Sequence, residues 1–284
     1  TRDSLTAALL VLIRKGRKGK VFYEAHSFPS SRTGLALQRW LAPRLDALIV
    51  LTELLAQRYV DLEIPPRRVE VISDAVDIDV FGRSSKFEAR KELGVGKNDF
   101  LVMYVGQMYK WKGVETLVAA AAFLSDDTHV WLVGGTPEEL PRIEKLLSAP
   151  GADLVKLIGY VAPTQIPTCL AAADVLALPN SGQTAVSRYY TSPLKLFEYM
   201  ASGRPIIASD LPSLREIITH EETALLVPPD DARAFAAAVE RLRYDADLAR
   251  RLAANSLQIV ADYTWDHRAA QIIELIQQDD LCNT

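Results

Sequence analysis

The sequence predicts an α/β protein built from two Rossmann-like units, and three observations support this prediction. Short apolar segments typical of buried strands alternate with amphipathic segments typical of helices along nearly the whole chain. This alternation occurs twice, with a polar stretch at residues 73–85 between the two series. Loops that contain glycine follow several of the predicted strands. Alternation of this kind indicates parallel sheets with crossover helices.

The first series, at residues 1–84, predicts only a partial domain. Its strands are expected at residues 21–25, 47–51 and 69–72, and its helices at 4–15, 34–43 and 52–60. Thr52 is a suitable N-cap for the last of these helices. The polar stretch that follows shows no clear period and is interpreted as a linker. The chain begins at Thr1 without methionine or the features of a signal peptide, so we expect a fragment.

The second series, at residues 85–284, predicts a complete doubly wound domain. Its strands are expected at residues 100–105, 130–134, 155–158, 175–178, 206–208 and 224–227. Its helices are expected at 113–123, 137–147, 164–172 and 192–203, then from Ser213, and finally at 231–243, 246–261 and 267–278. Ligands of such sheets bind at the carboxyl ends of the strands, so functional residues are expected in the loops that follow strands.

The predicted helix at residues 192–203 has both a start signal and a stop signal. Ser192 is a suitable N-cap, and Pro193 suits the first helical position, where no N–H is needed. Gly203 can adopt the left-handed conformation that ends a helix. The unpaired N–H groups of the first turn can hold a phosphate, and Glu198 can accept hydrogen bonds from ribose hydroxyls. An ordinary capped helix packed on a sheet is the equally weighted alternative.

Glycine-containing loops follow three consecutive strands of the second series. Residues 106–113 join a strand to a helix, and Lys112 among them can neutralise a diphosphate, although a loop with surface lysines is the more common explanation. Residues 134–137 repeat the pattern of strand, glycines and helix start. Backbone groups at residues 159–161 can contact the edge of a nucleobase. Each signal is weak alone, but several at one sheet edge are harder to attribute to chance.

Composition and charge argue against several functional classes. The formal net charge of −4 gives no general attraction to nucleic acid. Cys169 and Cys282 are too far apart for a metal or redox motif and suit a reducing compartment. No apolar run is long enough to span a membrane, so we expect a cytoplasmic location, and the basic run at residues 14–18 fits a solvated helix end better than a lipid contact. Gly94 and Gly96 precede a strand, which argues against a nicotinamide cofactor.

His26 follows the first predicted strand, where it would face the cleft between the two units. Its imidazole can hydrogen-bond a sugar or a phosphate, although a lone histidine is more often a satisfied structural group. Asp74, Asp77 and Asp79 are interpreted as turn and cap residues instead of metal ligands, so no metal site is predicted.

Residues 98–279 resemble the donor-binding domain of glycosyltransferase family 4, whose members are retaining enzymes of GT-B fold. The strongest similarity is the segment Ser-Pro-Leu-Lys-Leu-Phe-Glu-Tyr-Met-Ala-Ser-Gly-Arg-Pro at residues 192–205. Residues 106–113 and 133–135 support it, and residues 20–81 resemble the end of that family's acceptor domain. The resemblance implies two Rossmann-like domains, the first incomplete, with C-terminal helices that pack back on the first domain.

The resemblance also implies a function, which is the metal-independent transfer of a sugar from a nucleoside diphosphate sugar to an acceptor hydroxyl. The acceptor would be a glycan, a lipid or a small molecule, and no cofactor beyond the donor substrate is implied. Lys112 and His26 would be the catalytic residues, with Lys112 stabilising the departing diphosphate. The donor would be bound by Gly106, Gln107, Gly159, Tyr160, Val161, Tyr190, Ser192, Pro193, Leu194, Lys195 and Glu198.

Some positions depart from the family's pattern. The family usually has a glutamate eight positions before Glu198, where this chain has Tyr190, and an arginine at Gln107. The strand and glycine-rich loop with which members normally begin have no match, so the chain is a fragment, a second chain completes it, or it differs there. A non-catalytic nucleotide-sugar-binding subunit is therefore an alternative, as is another GT-B reaction such as epimerisation. Peripheral contact with the inner face of a membrane is a further expectation.

Overall fold

The protein is described by a computed structural model that covers residues 1–14, 19–62, 69–82, 84–148 and 152–281, with side chains to residue 277. Two parallel sheets organise it. The smaller has the order β1-β2-β3, with β1 at Phe22–Ala25, β2 at Ala47–Val50 and β3 at Val69–Val71. The larger contains β4 (Phe100–Val105), β5 (Thr128–Val133), β6 (Val155–Gly159), β7 (Val175–Leu178), β8 (Ile206–Ser209) and β9 (Leu225–Val227). Both sheets confirm the predicted α/β class.

The larger sheet has the doubly wound strand order β6-β5-β4-β7-β8-β9. The chain runs outward from β4 in one direction and then restarts at β7 on the other side. Loops that follow β4 and β7 therefore diverge, and they leave a crevice between them at the carboxyl edge of the sheet. All four residues of β7 and of β8 are buried, because helices cover both faces of the sheet.

Thirteen α-helices connect and cover the strands in the described residues. They are α1 (Ser4–Ile13), α2 (Arg32–Leu41), α3 (Glu53–Val60), α4 (Ile78–Phe81), α5 (Lys86–Leu93), α6 (Val114–Ala121), α7 (Leu140–Leu146), α8 (Ile166–Ala172), α9 (Leu194–Ala201), α10 (Pro212–Arg215), α11 (Ala232–Tyr244), α12 (Ala246–Val260) and α13 (Trp265–Leu281). Thr52 caps α3 as predicted, because its side chain accepts a hydrogen bond from the Leu55 N–H. None of the helices in the described part of the chain is long and apolar enough to cross a membrane.

The polar stretch at residues 73–85 is more ordered than its interpretation as a linker suggests. Asp77 caps the short helix α4, so its assignment as a cap residue is confirmed. Val76 is buried and forms a β-bridge to Thr264. Ile78 and Phe81 pack against the core on one face of the larger sheet. The apolar residues among the polar ones are thus the reason that this stretch is folded.

The helix expected from Ser192 begins later than predicted. Pro193 occupies the N-cap position with an extended ψ of 117°, so the first helical residue of α9 is Leu194. Ser192 was expected to cap this helix, and that expectation is wrong, since its hydroxyl lies one residue too early to reach the first-turn N–H groups. The stop signal is confirmed, because Gly203 has the left-handed φ of 64°.

The last helix, α13, returns to the smaller sheet. Leu275 belongs to the apolar cluster formed with Ala47, Ile49 and Ile72, and Ile272 packs against the same cluster. The two preceding helices remain with the larger sheet, where α11 packs on α6 and α12 on α9. This arrangement confirms the expectation that the C-terminal part of the chain packs back on the first unit. The domain boundary at residue 84 stays a prediction.

Candidate functional site

A cleft of about 630 Å³ lies at the carboxyl ends of β4 and β7, between the two sheets. This is the switch point of the larger sheet, where ligands of doubly wound proteins bind. Three groups of residues line the cleft. They are His26, Leu51 and Asp74 from the smaller sheet's side; Val105, Gly106, Gln107, Trp111 and Lys112 after β4; and Ile166, Val186, Tyr190, Thr191, Ser192, Pro193, Leu194, Lys195 and Glu198. The volume suits a ligand of nucleotide-sugar size.

Three glycine loops meet at this edge of the sheet, as the sequence predicted. The Gly135 N–H donates to the Gly106 carbonyl at 3.1 Å, and the Gly134 N–H donates to the Gly159 carbonyl at 2.6 Å. Gly106 has a φ of 136°, and a Cβ there would lie 2.8 Å from the Lys195 Nζ. Only glycine therefore allows the Lys195 ammonium to approach the backbone so closely.

The residues predicted to frame a base lie beside the cleft instead of in its wall. Gly159 ends β6 with a φ of 75°, and its carbonyl contacts the neighbouring glycine loop. The Tyr160 side chain is 77% exposed, whereas Val161 is partly buried against the core of the larger sheet. Of these three residues, only Tyr160 is exposed.

Lys112 presents a positive charge with no compensating carboxylate. It ends a short 3₁₀ turn, and the left-handed Gly113 that follows packs so closely on the Pro179 carbonyl that a Cβ would overlap it. The Lys112 Nζ lies 3.7 Å from the centroid of the Trp111 ring. Burial lowers the pKa of Lys112 to about 8. Among the described residues, no acidic side chain lies within ion-pair distance of this ammonium.

Lys195 brings a second amine to the same wall of the cleft. Its Nζ donates to the Tyr104 hydroxyl at 2.7 Å and lies 3.9 Å from the centroid of that ring. The Tyr104 hydroxyl in turn donates to the Gln107 carbonyl. Burial, and then repulsion by Lys112, lower the pKa of Lys195 well below its ordinary value. The charges of Glu198 and Glu139 oppose this shift, but among the described residues neither carboxylate forms an ion pair with Lys112 or Lys195. Two close amines without an ion-pair partner favour an anionic ligand between or beside them.

The N-terminus of α9 adds unused hydrogen-bond donors to the two amines. Among the described residues, no side chain caps this helix. The Ser192 side chain is buried and lines the cleft, and its hydroxyl has no hydrogen-bond partner in the structure. An unpartnered buried hydroxyl costs free energy, and a ligand oxygen would remove that cost. First-turn N–H groups together with the positive end of the helix dipole form a phosphate site.

Glu198 places a carboxylate in the same cleft, one turn beyond Lys195 on the same face of α9. Burial raises the pKa of Glu198, and the charge of Lys195 opposes that shift. The site therefore combines a cationic wall with a hydrogen-bond acceptor. This arrangement matches a ligand with an anionic part and a hydroxyl-bearing part.

Tyr190 lies at the junction of the two sheets. It ends a π-helical turn, Val186–Tyr190, that the sequence analysis did not predict. The side chain is 6% exposed and belongs to the core of the smaller sheet, where its ring lies 6.4 Å from that of Phe28. Its hydroxyl accepts a hydrogen bond from the Arg58 Nε at 3.1 Å. Tyr190 thus contributes a wall to the cleft and no charge.

The sequence analysis missed two polar or aromatic groups of the cleft. Trp111 lies within the predicted loop at residues 106–113, and its ring lies beside the Lys112 ammonium. An aromatic residue next to a lysine in this loop was a signal that the sequence offered. Asp74 was interpreted as a turn residue, yet it is buried and lines the cleft, and burial raises its pKa. Within the described ranges, no group of three or more acidic, histidine or cysteine side chains is placed to hold a metal ion.

Comparison with known proteins identifies the family and the fold. Residues 99–245, more than half of the chain, match the model of the family "Glycosyl transferases group 1". The chain belongs to this group 1 glycosyltransferase family. The matched region contains both lysines, the glycine loops and α9, so the cleft residues described above lie almost entirely within it.

A D-inositol 3-phosphate glycosyltransferase of Nocardioides sp. (strain ATCC BAA-499 / JS614) is 26% identical to this group 1 glycosyltransferase over 252 residues, which cover 82% of this chain and 54% of that protein. The chain spans about half the length of the curated relatives it matches.

Two solved structures show the same architecture. HepE of Anabaena in complex with UDP aligns with a TM-score of 0.87 and 20% identity over 97% of this chain and 77% of HepE. Sucrose-phosphate synthase of Thermosynechococcus elongatus aligns with a TM-score of 0.82 and 27% identity over 98% of this chain and 72% of that enzyme. The fold is therefore the GT-B fold of glycosyltransferases.

Proposed function

We propose that the chain forms the donor site and part of the acceptor side of a retaining, metal-independent glycosyltransferase of family 4. The enzyme would move a sugar from a nucleoside diphosphate sugar to a hydroxyl of a glycan, a lipid or a small molecule. One observation carries this proposal. Lys112, Lys195 and the uncapped N-terminus of α9 converge on one cleft, and no described carboxylate forms an ion pair with either lysine. The relative named a glycosyltransferase supports the reaction class.

Each part of the donor would have its own contacts in the cleft. The diphosphate would lie against the two lysines, with its distal phosphate at the first-turn N–H groups of α9 and at the Ser192 hydroxyl. Glu198 would accept hydrogen bonds from the ribose hydroxyls. The base would extend toward Gly159, Tyr160 and Val161. Gly106 and Gln107 would border the phosphates through backbone groups.

Stabilisation of the leaving group would supply most of the rate acceleration. When the bond to the sugar breaks, negative charge develops on the departing diphosphate, and fixed positive charges stabilise this state more than the ground state. Each such contact is worth about 2–4 kcal/mol, by comparison with oxyanion donors that have been removed from other enzymes. His26 would contact the transferred sugar from the opposite side of the cleft.

The proposed partners include a second chain or a membrane surface. The outward face of α1 is strongly apolar, with Leu5, Leu9 and Ile13 exposed to 68%, 57% and 53%. Such a face fits contact with a chain that completes the smaller sheet's unit, or peripheral contact at the inner face of a membrane. The cytoplasmic location stays a prediction.

A panel of nucleoside diphosphates and their sugars tests the donor site. We expect one nucleoside diphosphate to raise the melting temperature, because a ligand at 100 times its Kd stabilises by about 2.7 kcal/mol. The Glu198→Ala variant should bind the same nucleotide more weakly, and the exposed Glu222→Ala should bind it as the wild type does. If no nucleoside diphosphate binds, the donor site is refuted. If the Glu198 variant binds equally well, Glu198 loses its role.

A turnover assay with the best donor separates an enzyme from a non-catalytic binding subunit. We expect release of nucleoside diphosphate in the presence of a chelator, and a product whose anomeric configuration matches that of the donor. Inversion at the anomeric carbon would refute the retaining mechanism. Binding without any donor consumption over an acceptor panel would favour the binding-subunit alternative.

A further inference from the structure

We propose that Glu24 is a positioning residue that fixes the tautomer of His26, so that His26 presents Nδ1 to the cleft as a hydrogen-bond acceptor. In this arrangement Nδ1 accepts a hydrogen bond from a hydroxyl of the transferred sugar or of the acceptor, and it does not donate a hydrogen bond to a phosphate. The inference rests on the proposed function for its substrate and on this chain's own contacts for its geometry.

The contact between the two residues follows from the end of β1. Glu24 and His26 are two positions apart, so their side chains leave the strand on the same side. The His26 Nε2 lies 2.8 Å from the Glu24 Oε1. The same oxygen is 2.7 Å from the Arg268 Nη2 on α13 and 3.2 Å from the Arg2 Nη2. Glu24 thus gathers donors from three separate segments of the chain.

The charge of Glu24 decides which ring nitrogen of His26 carries the proton. Burial alone would raise the pKa of Glu24, but the hydrogen bond from His26 and the charges of Arg268 and Arg2 lower it to about 2. Glu24 is therefore an ionised carboxylate, which accepts hydrogen bonds and donates none. The nitrogen that contacts it must be the N–H, which places the hydrogen on Nε2.

Two cations lie against the Glu24 carboxylate, so His26 can contact it as a neutral imidazole that donates one hydrogen bond. The guanidinium groups of Arg268 and Arg2 both contact the Glu24 Oε1, so its negative charge is compensated without a positive charge on His26. Asp74 is the other acidic group near His26; it is 7% exposed, and burial raises its pKa. With the proton on Nε2, the other ring nitrogen, Nδ1, carries a lone pair. This lone pair repels phosphate oxygens and accepts a hydrogen bond from an O–H group.

Arg268 supports the arrangement from α13. It is 5% exposed, so its charge would be buried without a partner if Glu24 alone were removed. A variant such as Glu24→Met alone, which removes the acceptor of Arg268, can therefore fail to fold for reasons unrelated to His26. The double variant Glu24→Met with Arg268→Met removes the acceptor and the buried charge together. Arg268→Met alone is the matched control, because it leaves Glu24 and His26 in contact.

The tautomer is measured on the free protein by long-range ¹⁵N–¹H correlation of the imidazole rings, well above the ordinary histidine pKa of about 6.5. The His26 signals are those that disappear in His26→Asn. We expect an Nε2–H tautomer in the wild type, in Arg268→Met and in Glu24→Gln, whose amide oxygen can still accept the bond. The double variant should show mixed tautomers. An Nδ1–H tautomer in the wild type, or an unchanged tautomer in the double variant, would overturn the proposal.

Kinetics provide the second readout. In the double variant we expect kcat to fall by about a hundredfold, as for loss of a positioned proton-transfer or polar group, with the nucleotide Kd unchanged. Glu24→Gln should keep most of the wild-type kcat, because its amide oxygen can still accept the hydrogen bond from His26. A kcat that falls equally in Arg268→Met would assign the effect to structure and refute positioning by Glu24. Because the tautomer is read without any donor, a fixed tautomer in a protein that binds no nucleotide would refute the proposed function and leave this inference standing.

Discussion

At the scale of single residues, two lysines of the cleft lower the stability of the unliganded fold. Lys112 and Lys195 are partly buried, their charges repel each other, and burial lowers the pKa of each. In an unliganded protein these positions are costly, because desolvated charges without partners destabilise the fold. Residues that lower stability at a concave site are a recognised feature of functional centres. We expect a bound diphosphate to remove this cost, because it would supply the missing negative charge.

Replacement of Lys112 by methionine should separate function from stability. We expect Lys112→Met to lower turnover by about a hundredfold, because one contact to the developing charge is lost. The folded-state pKa of about 8 lies below the ordinary value of 10.5, so the charged amine destabilises the fold fully below pH 8 and less as pH rises toward 10.5. The variant should therefore melt at a higher temperature than the wild type at neutral pH.

The exposed Lys110 in the same loop provides the matched control. Lys110→Met should change turnover by less than about twofold and leave the melting temperature unchanged, because exposed substitutions usually alter stability by less than about 0.5 kcal/mol. Steady-state kinetics and calorimetry measure both quantities. If turnover and melting temperature both fell in Lys112→Met, the lysine would be structural, contrary to its proposed role.

Nucleotide affinity should depend on pH through the same group. The Lys112 ammonium loses its proton as pH rises through about 8, and with it the attraction for the diphosphate. We expect the ratio of affinities between the wild type and Lys112→Met, for the nucleoside diphosphate that the panel identifies, to be constant well below pH 8 and to decline above it. Titration calorimetry from about pH 6 to 10 measures this ratio, from which the ionisation of the nucleotide itself cancels. A ratio independent of pH would show that Lys112 is not the titrating group.

At the scale of elements, α9 shows what a late helix start does. Pro193 holds the N-cap position and has no side-chain donor or acceptor. The Leu196 N–H donates to the Pro193 carbonyl, whereas the N–H groups of Leu194 and Lys195 have no hydrogen-bond partner among the described residues. Ser192, displaced to the preceding position, points its unpartnered hydroxyl at the cleft. One residue of displacement therefore changes a helix cap into part of a candidate phosphate site.

The Ser192→Ala variant distinguishes these two roles. Loss of an N-cap hydroxyl typically costs about 1 kcal/mol of stability. Here we expect no loss, or a small gain, because the hydroxyl removed is buried without a partner. Nucleotide affinity should fall several-fold. Urea unfolding and titration calorimetry check the two parts, and a stability loss near 1 kcal/mol with unchanged affinity would restore the capping role.

Elements with a local sequence signature were predictable, and those set by distant contacts were not. The strand at Phe100–Val105 matches its prediction residue for residue, because a continuous apolar run bounded by polar residues defines it. The π-helical turn at Val186–Tyr190 was missed, since it depends on the insertion of Tyr190 beside Phe28, more than 150 residues earlier in the sequence. The glycine loops could be placed at one edge from topology alone, but Trp111 and Asp74 could not be given a role.

At the scale of the whole molecule, contacts from several segments hold the two sheets around the cleft. Both oxygens of the Glu216 carboxylate, beside α10, accept the first N–H groups of α3 at 2.9 and 3.0 Å. The Thr52 hydroxyl donates to the Tyr189 carbonyl, and Arg58 donates to Tyr190. The last two bonds join the loop after β7 to the smaller sheet's unit, and the Glu216 bonds join the segment after α10 to the same unit. The walls of the cleft are therefore positioned by groups that belong to opposite units.

The return of α13 makes the smaller sheet depend on the end of the chain, and Leu275 tests that dependence. Leu275 is 3% exposed against Ala47, Ile49 and Ile72, whereas Ile273 on the same helix is 54% exposed. We expect Leu275→Ala to cost about 2–5 kcal/mol and Ile273→Ala to cost less than about 0.5 kcal/mol. Because the larger sheet has two extensive cores of its own, the loss should be local.

Hydrogen exchange read by mass spectrometry shows where the stability is lost. In Leu275→Ala, amide protection should fall in β1, β2 and β3, while β4 and β7 keep the protection of the wild type. His26 and Glu24 lie at the end of β1, so turnover should fall more than nucleotide affinity, which depends on the larger sheet. A uniform loss of protection over both sheets would mean that the two units unfold together, and α13 would then be a clamp for the whole molecule instead of a support for one half.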